Sequence, residues 1–194
     1  QYNGCKLNLG LGSVYAEELQ KVLRIIQAED FVTGEGHYSK DDTINDAYIE
    51  YIIQNIHLER PVKVIVDGGN GMGGPYLPEI LLRLGCEVIE MYCDPDGNFP
   101  NHHPDPTVEK NMTDLSRAVV AAEYELGIGL DGDADRIGVV DEKGKMLFGD
   151  QILNILARDY LKKNPGKTVI ADVKCSKNLF DDIRKHGGVP MMYK

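Results

Sequence analysis

One six-residue segment, Asp131–Arg136, carries the densest chemistry in the chain and is called the acidic loop below. Its carboxylates alternate with small residues at Asp131, Asp133 and Asp135, and Arg136 follows them directly. Closely spaced carboxylate oxygens suit Mg²⁺, which prefers oxygen ligands in tight octahedral geometry and keeps places open for water or a phosphate. The planar fork of Arg136 could bind that phosphate. The acidic loop therefore predicts a site for one hard divalent cation beside an anion.

Two short apolar runs, residues 126–130 and 137–140, flank the acidic loop and predict buried strands on either side of it. A solvated hairpin turn would have the same flanks, and a calcium loop is a second alternative. In a calcium loop that starts at Asp131, Glu142 would fall at the twelfth, ligating position. Against calcium, the position that needs glycine holds Arg136, and such a loop lies between helices rather than strands.

The composition is that of an ordinary globular protein, with 194 residues of which 42% are hydrophobic and 27% charged. A formal net charge of −10 disfavours nucleic acid and anionic membranes as partners. The 4 cysteines form no Cys-x-x-Cys pair, and we find no signal peptide or long apolar run, so we expect a reduced, cytoplasmic setting. The chain starts without Met inside a strand-like segment, which suggests a fragment.

Alternating strands and helices predict an α/β fold with a mixed, mostly parallel sheet sandwiched by helices. We expect residues 1–41 to be the end of one domain plus a linker, residues 42–144 to be a domain with the acidic loop, and residues 145–194 to begin a third domain of similar type. The predicted strands are 5–9, 62–66, 87–91, 126–130, 137–140, 168–173 and 189–192, and the predicted helices are 15–28, 43–57, 74–84, 113–124, 150–161 and 176–186.

A glycine-rich turn, Asp67–Gly74, follows one predicted strand and precedes a helix. Gly69, Gly71 and Gly74, with Glu90 about 20 residues later, satisfy the pattern of a dinucleotide-binding Rossmann-like module. Tight turns also use glycine for backbone reasons alone. Turn architecture, dinucleotide binding and another anion at the helix N-terminus all stay open.

The segment 94–106, called the proline-rich loop, has too many prolines for a strand and contains His102 and His103. Adjacent histidines need further ligands to hold one ion. We expect a structural loop with Phe99 anchored in the core and the imidazoles hydrogen-bonded nearby.

Two lysines, Lys6 and Lys174, each lie beside a predicted strand end, where clefts of α/β folds open. A solvated surface charge is the ordinary role of either. No Ser-His-Asp or Cys-His arrangement has local support.

Three segments in order, Asp67–Gly71, Phe99–Pro106 and Asp131–Arg136, resemble the α-D-phosphohexomutases, and most of all their bacterial phosphomannomutase/phosphoglucomutase branch. Tyr2–Lys6 is similar to the segment that follows the phosphoserine motif of that family, although Cys5 stands where a larger apolar residue is usual. Asp172–Ser176 is similar to the opening of the third domain. The resemblance covers essentially the whole chain.

The resemblance implies a Mg²⁺-dependent isomerase that interconverts hexose 1-phosphate and hexose 6-phosphate, of mannose or glucose, through a phosphoserine and a hexose 1,6-bisphosphate. It implies that the three aspartates of the acidic loop bind Mg²⁺ together with a phosphoserine oxygen. Arg136 would contact the reacting phosphate or sugar, Lys6 would assist proton transfer or steady charge at the phosphoserine, and Lys174 would touch the substrate.

The nucleophilic serine, the sugar-recognition loop and the phosphate clamp of such an enzyme have no counterpart in these residues. We therefore expect this chain to be inactive by itself while its acidic loop stays folded. Hexose phosphates are the expected partners, and nucleic acid and membranes are not.

Overall fold

The computed structural model describes residues 5–193, which fall into two compact units, Gln1–Asp42 and Thr43–Lys194. The segment Tyr2–Gly4, part of the predicted family match, lies outside the described residues. The predicted domain ranges with a boundary near residue 145 stay a prediction.

The first unit contains a short hairpin and one helix. Strand β1 (Asn8–Leu9) pairs antiparallel with β2 (Gly12–Ser13), and helix α1 spans Ala16–Gln27. The strand expected over residues 5–9 is therefore shorter than predicted. Its partner strand ends at Ser13, since the chain enters α1 within three residues.

The second unit is built on a five-stranded sheet of order β4-β3-β5-β6-β7. The strands are β3 (Lys63–Asp67), β4 (Glu87–Met91), β5 (Leu126–Leu130), β6 (Ile137–Asp141) and β7 (Met146–Leu147). The expected mixed sheet is confirmed, but β3 is parallel to β4 and β5 whereas β6 is antiparallel to β5 and β7, so parallel pairings are not the majority. The reason is the acidic loop, which joins β5 to β6 and is too short for the crossover that a parallel pair needs.

Helices cover both faces of this sheet because the side chains of β3 alternate. Ile65 packs with a core under α4 (Thr113–Ala122), and Val64 and Val66 pack with a core under α3 (Leu77–Arg83). A 3₁₀ turn over Glu109–Met112 precedes α4, and α2 (Ile44–Asn55) contacts α3. The helix predicted from residue 74 begins at Leu77 instead, with Pro78 in its first turn where proline is tolerated.

The last part of the chain forms a smaller layer with its own core. Its elements are α5 (Gly149–Lys163), β8 (Thr168–Asp172), α6 (Lys177–Lys185) and β9 (Val189–Tyr193). Strands β8 and β9 are parallel, and Leu161, Leu179 and Ile183 are buried between them and the two helices. None of the helices within residues 5–193 has the length and apolar character needed to cross a membrane.

Candidate metal centre

The acidic loop closes the hairpin between β5 and β6. Leu130 pairs with Ile137 at its base, and within the loop the Ala134 amide donates to the Asp131 carbonyl oxygen at 3.1 Å. Ala134 has a φ of +58°, so the chain turns through the left-handed region there. Asp131 is only 1% exposed, whereas Asp133 lies at the surface. The loop thus joins one buried carboxylate to surface carboxylates.

The three predicted ligands come together. Asp131, Asp133 and Asp135 each offer one carboxylate oxygen, and these oxygens all lie within 4.8 Å of one another. Two oxygens that share one Mg²⁺ at about 2.1 Å each lie at most about 4.2 Å apart, so small side-chain rotations bring this donor set to a single ion. An all-oxygen, anionic donor set fits a hard divalent cation.

Arg136 is fastened to the buried end of the same loop. Its backbone N–H donates to Asp131 Oδ1 at 3.0 Å, and its Nε donates to Asp131 Oδ2 at 2.8 Å. Nε also lies 3.6 Å from Asp135 Oδ1, and Nη1 lies 3.6 Å from Asp105 Oδ1. The hydrogen bond to Asp131 raises the pKa of the Arg136 guanidinium, which stays charged. The predicted cation for an anionic ligand is therefore held beside the three carboxylates.

The calcium-loop alternative does not fit this geometry. Glu142 follows β6, whose five residues run away from the acidic loop. At roughly 3.4 Å per residue, Glu142 lies about 17 Å along the chain from the loop. A carboxylate at that distance cannot complete a calcium site with Asp131.

The glycine-rich turn packs directly against the acidic loop. A methyl group on Gly71 would lie 2.8 Å from the carbonyl oxygen of Gly132, and one on Gly73 would lie 2.5 Å from the Leu130 side chain. The Met72 amide donates to the same Gly132 oxygen at 2.9 Å. The glycines are needed for this close approach of two backbone segments.

The dinucleotide alternative is not favoured, because the amides of residues 68–72 in the turn already have protein partners. A pyrophosphate needs free amides that lead straight into a helix, yet α3 begins only at Leu77. The space beside Gly74 is occupied as well, since a methyl group on Gly74 would lie 2.2 Å from the Cys93 carbonyl oxygen. The Gly69 amide donates to the Asp67 carboxylate, and the other four amides donate to backbone carbonyl oxygens: Gly68 to that of Met91, Asn70 to that of Tyr92, Gly71 to that of Gly68 and Met72 to that of Gly132.

The proline-rich loop forms the outer wall of the site, as a structural loop. His102 Nε2 lies 3.0 Å from Oδ2 of the buried Asp67, and His102 Nδ1 lies 3.0 Å from the His103 carbonyl oxygen. The expected hydrogen bonding of the imidazoles is thus confirmed for His102. Phe99 is half-buried, and a methyl group on Gly132 would lie 3.7 Å from its ring, so it packs on the acidic loop rather than in a main core.

Two buried polar residues that the sequence left unassigned tie these segments together. Asn70 donates to the Asp94 carbonyl oxygen at 2.9 Å and accepts from the Asn101 side chain at 2.7 Å. Asp67 ends β3, the strand beside β5, and burial raises the pKa of its carboxyl group, against the opposite effects of the Gly69 amide and His102. The only signal in the sequence was a carboxylate placed directly after an apolar strand.

The two predicted lysines belong to other segments of the chain than the acidic loop. Lys6 belongs to the first unit. Lys174 is exposed in the turn after β8, where its backbone N–H donates to Asp172 Oδ1 at 2.8 Å and Asp150 lines the same 440 Å³ surface depression. Their grouping with Arg136 stays a prediction.

Known proteins with this sequence pattern are numerous. The family described as phosphoglucomutase/phosphomannomutase, alpha/beta/alpha domain II, matches residues 46–144. A phosphoglucomutase of Neisseria meningitidis is 42% identical over all of this chain and 42% of its own length. A phosphomannomutase/phosphoglucomutase of Pseudomonas aeruginosa is 40% identical with the same coverage.

A solved structure agrees with these matches. A phosphoglucomutase/phosphomannomutase family protein of Burkholderia thailandensis superposes with a TM-score of 0.87 at 42% identity, over 93% of this chain and 39% of that one. The chain spans about two fifths of the length of the curated relatives it matches. By sequence and by fold, it belongs to the phosphoglucomutase/phosphomannomutase family.

Proposed function

We propose that this chain is the central part of a Mg²⁺-dependent phosphohexomutase that interconverts the 1-phosphate and 6-phosphate of glucose or mannose. Residues 1–41 would end its first domain, residues 42–144 form its second domain, and residues 145–194 open its third. The observation that carries the proposal is the convergence of three carboxylates and one arginine at the acidic loop, in a chain of this family.

Each side chain has a role suited to phosphoryl transfer, which depends on positioning and on neutralising charge. Asp131, Asp133 and Asp135 would hold Mg²⁺, which when bound reduces the charge on the transferred phosphoryl group. The charged fork of Arg136 would bind phosphate oxygens or the sugar. Lys6 would steady charge or move a proton at the phosphoserine of the complete enzyme, and Lys174 would contact the substrate.

The surroundings of the chain follow from the same chemistry. Hexose phosphates are anions, and a protein with a formal net charge of −10 needs local cations such as Arg136 and a bound metal to hold them. The thiols are unpaired. Free thiols suit a reducing compartment, and on that ground we propose a cytoplasmic location.

The proposal is tested with Asp133→Asn in the full-length enzyme that carries this segment. We expect a loss of Mg²⁺-dependent conversion of glucose 1-phosphate or mannose 1-phosphate to the 6-phosphate by at least about 100-fold, because the ion loses a ligand. Titration calorimetry of the 194-residue chain should show weaker Mg²⁺ binding in the same variant, and the chain alone should show no conversion.

Glu142→Gln is the matched control, because Glu142 is an exposed acid beyond the far end of β6. It should leave Mg²⁺ binding and turnover at the wild-type level. Equal loss in both variants, or full activity of Asp133→Asn, would contradict the proposed metal site. Interconversion by the isolated chain would contradict its assignment as an incomplete enzyme.

A further inference from the structure

The guanidinium of Arg136 meets two different carboxylates at two different nitrogens. Asp131 accepts from Nε at 2.8 Å, while Asp105 Oδ1 lies 3.6 Å from Nη1. Within residues 5–193, the side-chain hydrogen bond of Arg136 is made by Nε, and the side chain is 55% exposed. The guanidinium therefore contacts carboxylates on one side, and its other side is exposed to solvent.

Asp105 is itself fixed without any help from Arg136. Its Oδ1 accepts from the Thr107 hydroxyl at 2.7 Å and from the Thr107 amide at 3.1 Å. Its backbone oxygen accepts from the Asn111 side chain at 2.9 Å, and its amide donates to the His103 carbonyl oxygen at 2.8 Å. The two Thr107 hydrogen bonds lower the pKa of Asp105, so its carboxylate carries a negative charge in a fixed position.

The prolines on either side of Asp105 anchor it to the same framework as the metal ligands. Pro104 and Pro106 are both buried. A methyl group on Gly132 of the acidic loop would lie 3.7 Å from Pro104, and one on Gly138 at the start of β6 would lie 2.7 Å from the Pro106 carbonyl oxygen. Asp105 thus lies in a segment that packs on the hairpin both before and after Arg136.

We propose that Asp105 is a positioning residue for Arg136. Asp131 fixes Nε, and Asp105 faces Nη1, so the guanidinium plane cannot turn freely about the Nε–Cζ bond, and the exposed part of the guanidinium keeps one orientation in which a phosphate oxygen would bind. The inference rests on the proposed function for its catalytic consequence, but the restricted rotation is a property of the chain alone.

The first test measures that rotation by NMR on the 194-residue chain labelled with ¹⁵N-arginine, with the Arg136 signals assigned from Arg136→Lys. We expect separate Nη1 and Nη2 signals in the wild type, and their merging into one averaged signal in Asp105→Asn. Glu109→Gln, a nearby exposed acid, is the control and should keep them separate. Separate signals in Asp105→Asn, or one averaged signal in the wild type, would overturn the proposal.

Thr107→Val guards against a variant that fails to fold. It removes only one of the two donors to Asp105 and keeps the carboxylate. We expect faster exchange between the two Nη signals than in the wild type but slower exchange than in Asp105→Asn. Exchange at the wild-type rate in both variants would overturn the proposal.

The second test is a double-mutant cycle on kcat/KM in the full-length enzyme. Asp105→Asn should lower kcat/KM about tenfold, less than the roughly 100-fold that a 1 Å misplacement can cost. In an Arg136→Lys background it should add almost nothing, because Asp105 acts through Arg136. If the two substitutions lower kcat/KM by factors that multiply in the double variant, the proposal is overturned. An inactive wild-type enzyme would overturn the proposed mutase function, and the NMR result alone would then test the role of Asp105.

Discussion

Replacing Gly71 by alanine tests whether the glycine-rich turn supports the acidic loop. The added methyl group would lie 2.8 Å from the Gly132 carbonyl oxygen and 3.0 Å from that of Asp131, inside ordinary contact distance, and both neighbours are backbone atoms that cannot rotate away. Overpacking of this kind costs roughly 1–3 kcal/mol of unfolding free energy. The φ of Gly71 is not in the left-handed region, so the contact itself is the cause.

Part of that cost is offset, because alanine restricts the unfolded chain by about 0.4–1 kcal/mol relative to glycine. We therefore expect a net loss of about 1–2 kcal/mol, or roughly 2–8 °C in the thermal midpoint of a domain of this size. Because the acidic loop must move, Mg²⁺ affinity should fall on the order of tenfold, which corresponds to about 1.4 kcal/mol. Circular dichroism during heating and titration calorimetry measure the two effects.

Gly97→Ala is the matched control, since nothing lies within 4 Å of a methyl group there and its φ is also outside the left-handed region. It should keep Mg²⁺ affinity and should be neutral or slightly stabilising. If Gly71→Ala behaves like Gly97→Ala in both measurements, the acidic loop does not depend on this packing, and the structural explanation of the glycines is wrong.

Two other predictions concern charge pairs that hold segments of the second unit together. His102→Ala leaves the buried carboxylate of Asp67 without its imidazole partner and should cost roughly 1–3 kcal/mol in urea unfolding at pH 7, and less in acid, where Asp67 is neutral; an equal cost at both pH values would refute the pairing. The hydrogen bond from Arg60 lowers the pKa of Glu125 from 4.5 to about 2, so this carboxylate stabilises the fold above pH 4.5, and that contribution is lost as the pH falls towards 2. In Glu125→Gln the thermal midpoint should therefore depend less on pH between 4.5 and 2 than it does in the wild type. A variant with the same dependence as the wild type would count against the prediction.

Strands were the most predictable elements where their ends were marked by polar or glycine residues. The bounds of β4 and β5 match the sequence prediction, because each is a short segment with apolar residues that follows a polar or glycine-containing turn. Helix α3 was predicted to start three residues too early, since glycines that precede a helix do not tell where its first turn forms. Strand β7 was missed because its two residues carry no periodic pattern.

The convergence of the three carboxylates of the acidic loop was predictable because it is local. Their spacing within one loop brings their oxygens together whatever the rest of the chain does. The contact between Asp105 and Arg136 was not predictable, since it depends on how the proline-rich loop packs on the hairpin. The same holds for the pair formed by Asp67 and His102.

Asp67 and Asp131 show why a strand-end aspartate alone does not define a metal site. Asp67 is the last residue of β3, and Asp131 directly follows β5, the parallel neighbour of β3. Both side chains are 1% exposed, and both residues precede a glycine. The oxygens of Asp67 face the Gly69 amide and the imidazole of His102, so protein groups satisfy its charge. Asp131 also receives donors from Arg136, but two further carboxylates lie within 4.8 Å of it. Three anionic oxygens therefore converge at Asp131, whereas Asp67 is paired with an imidazole and an amide, and only the first arrangement offers the all-oxygen donor set that suits a divalent cation.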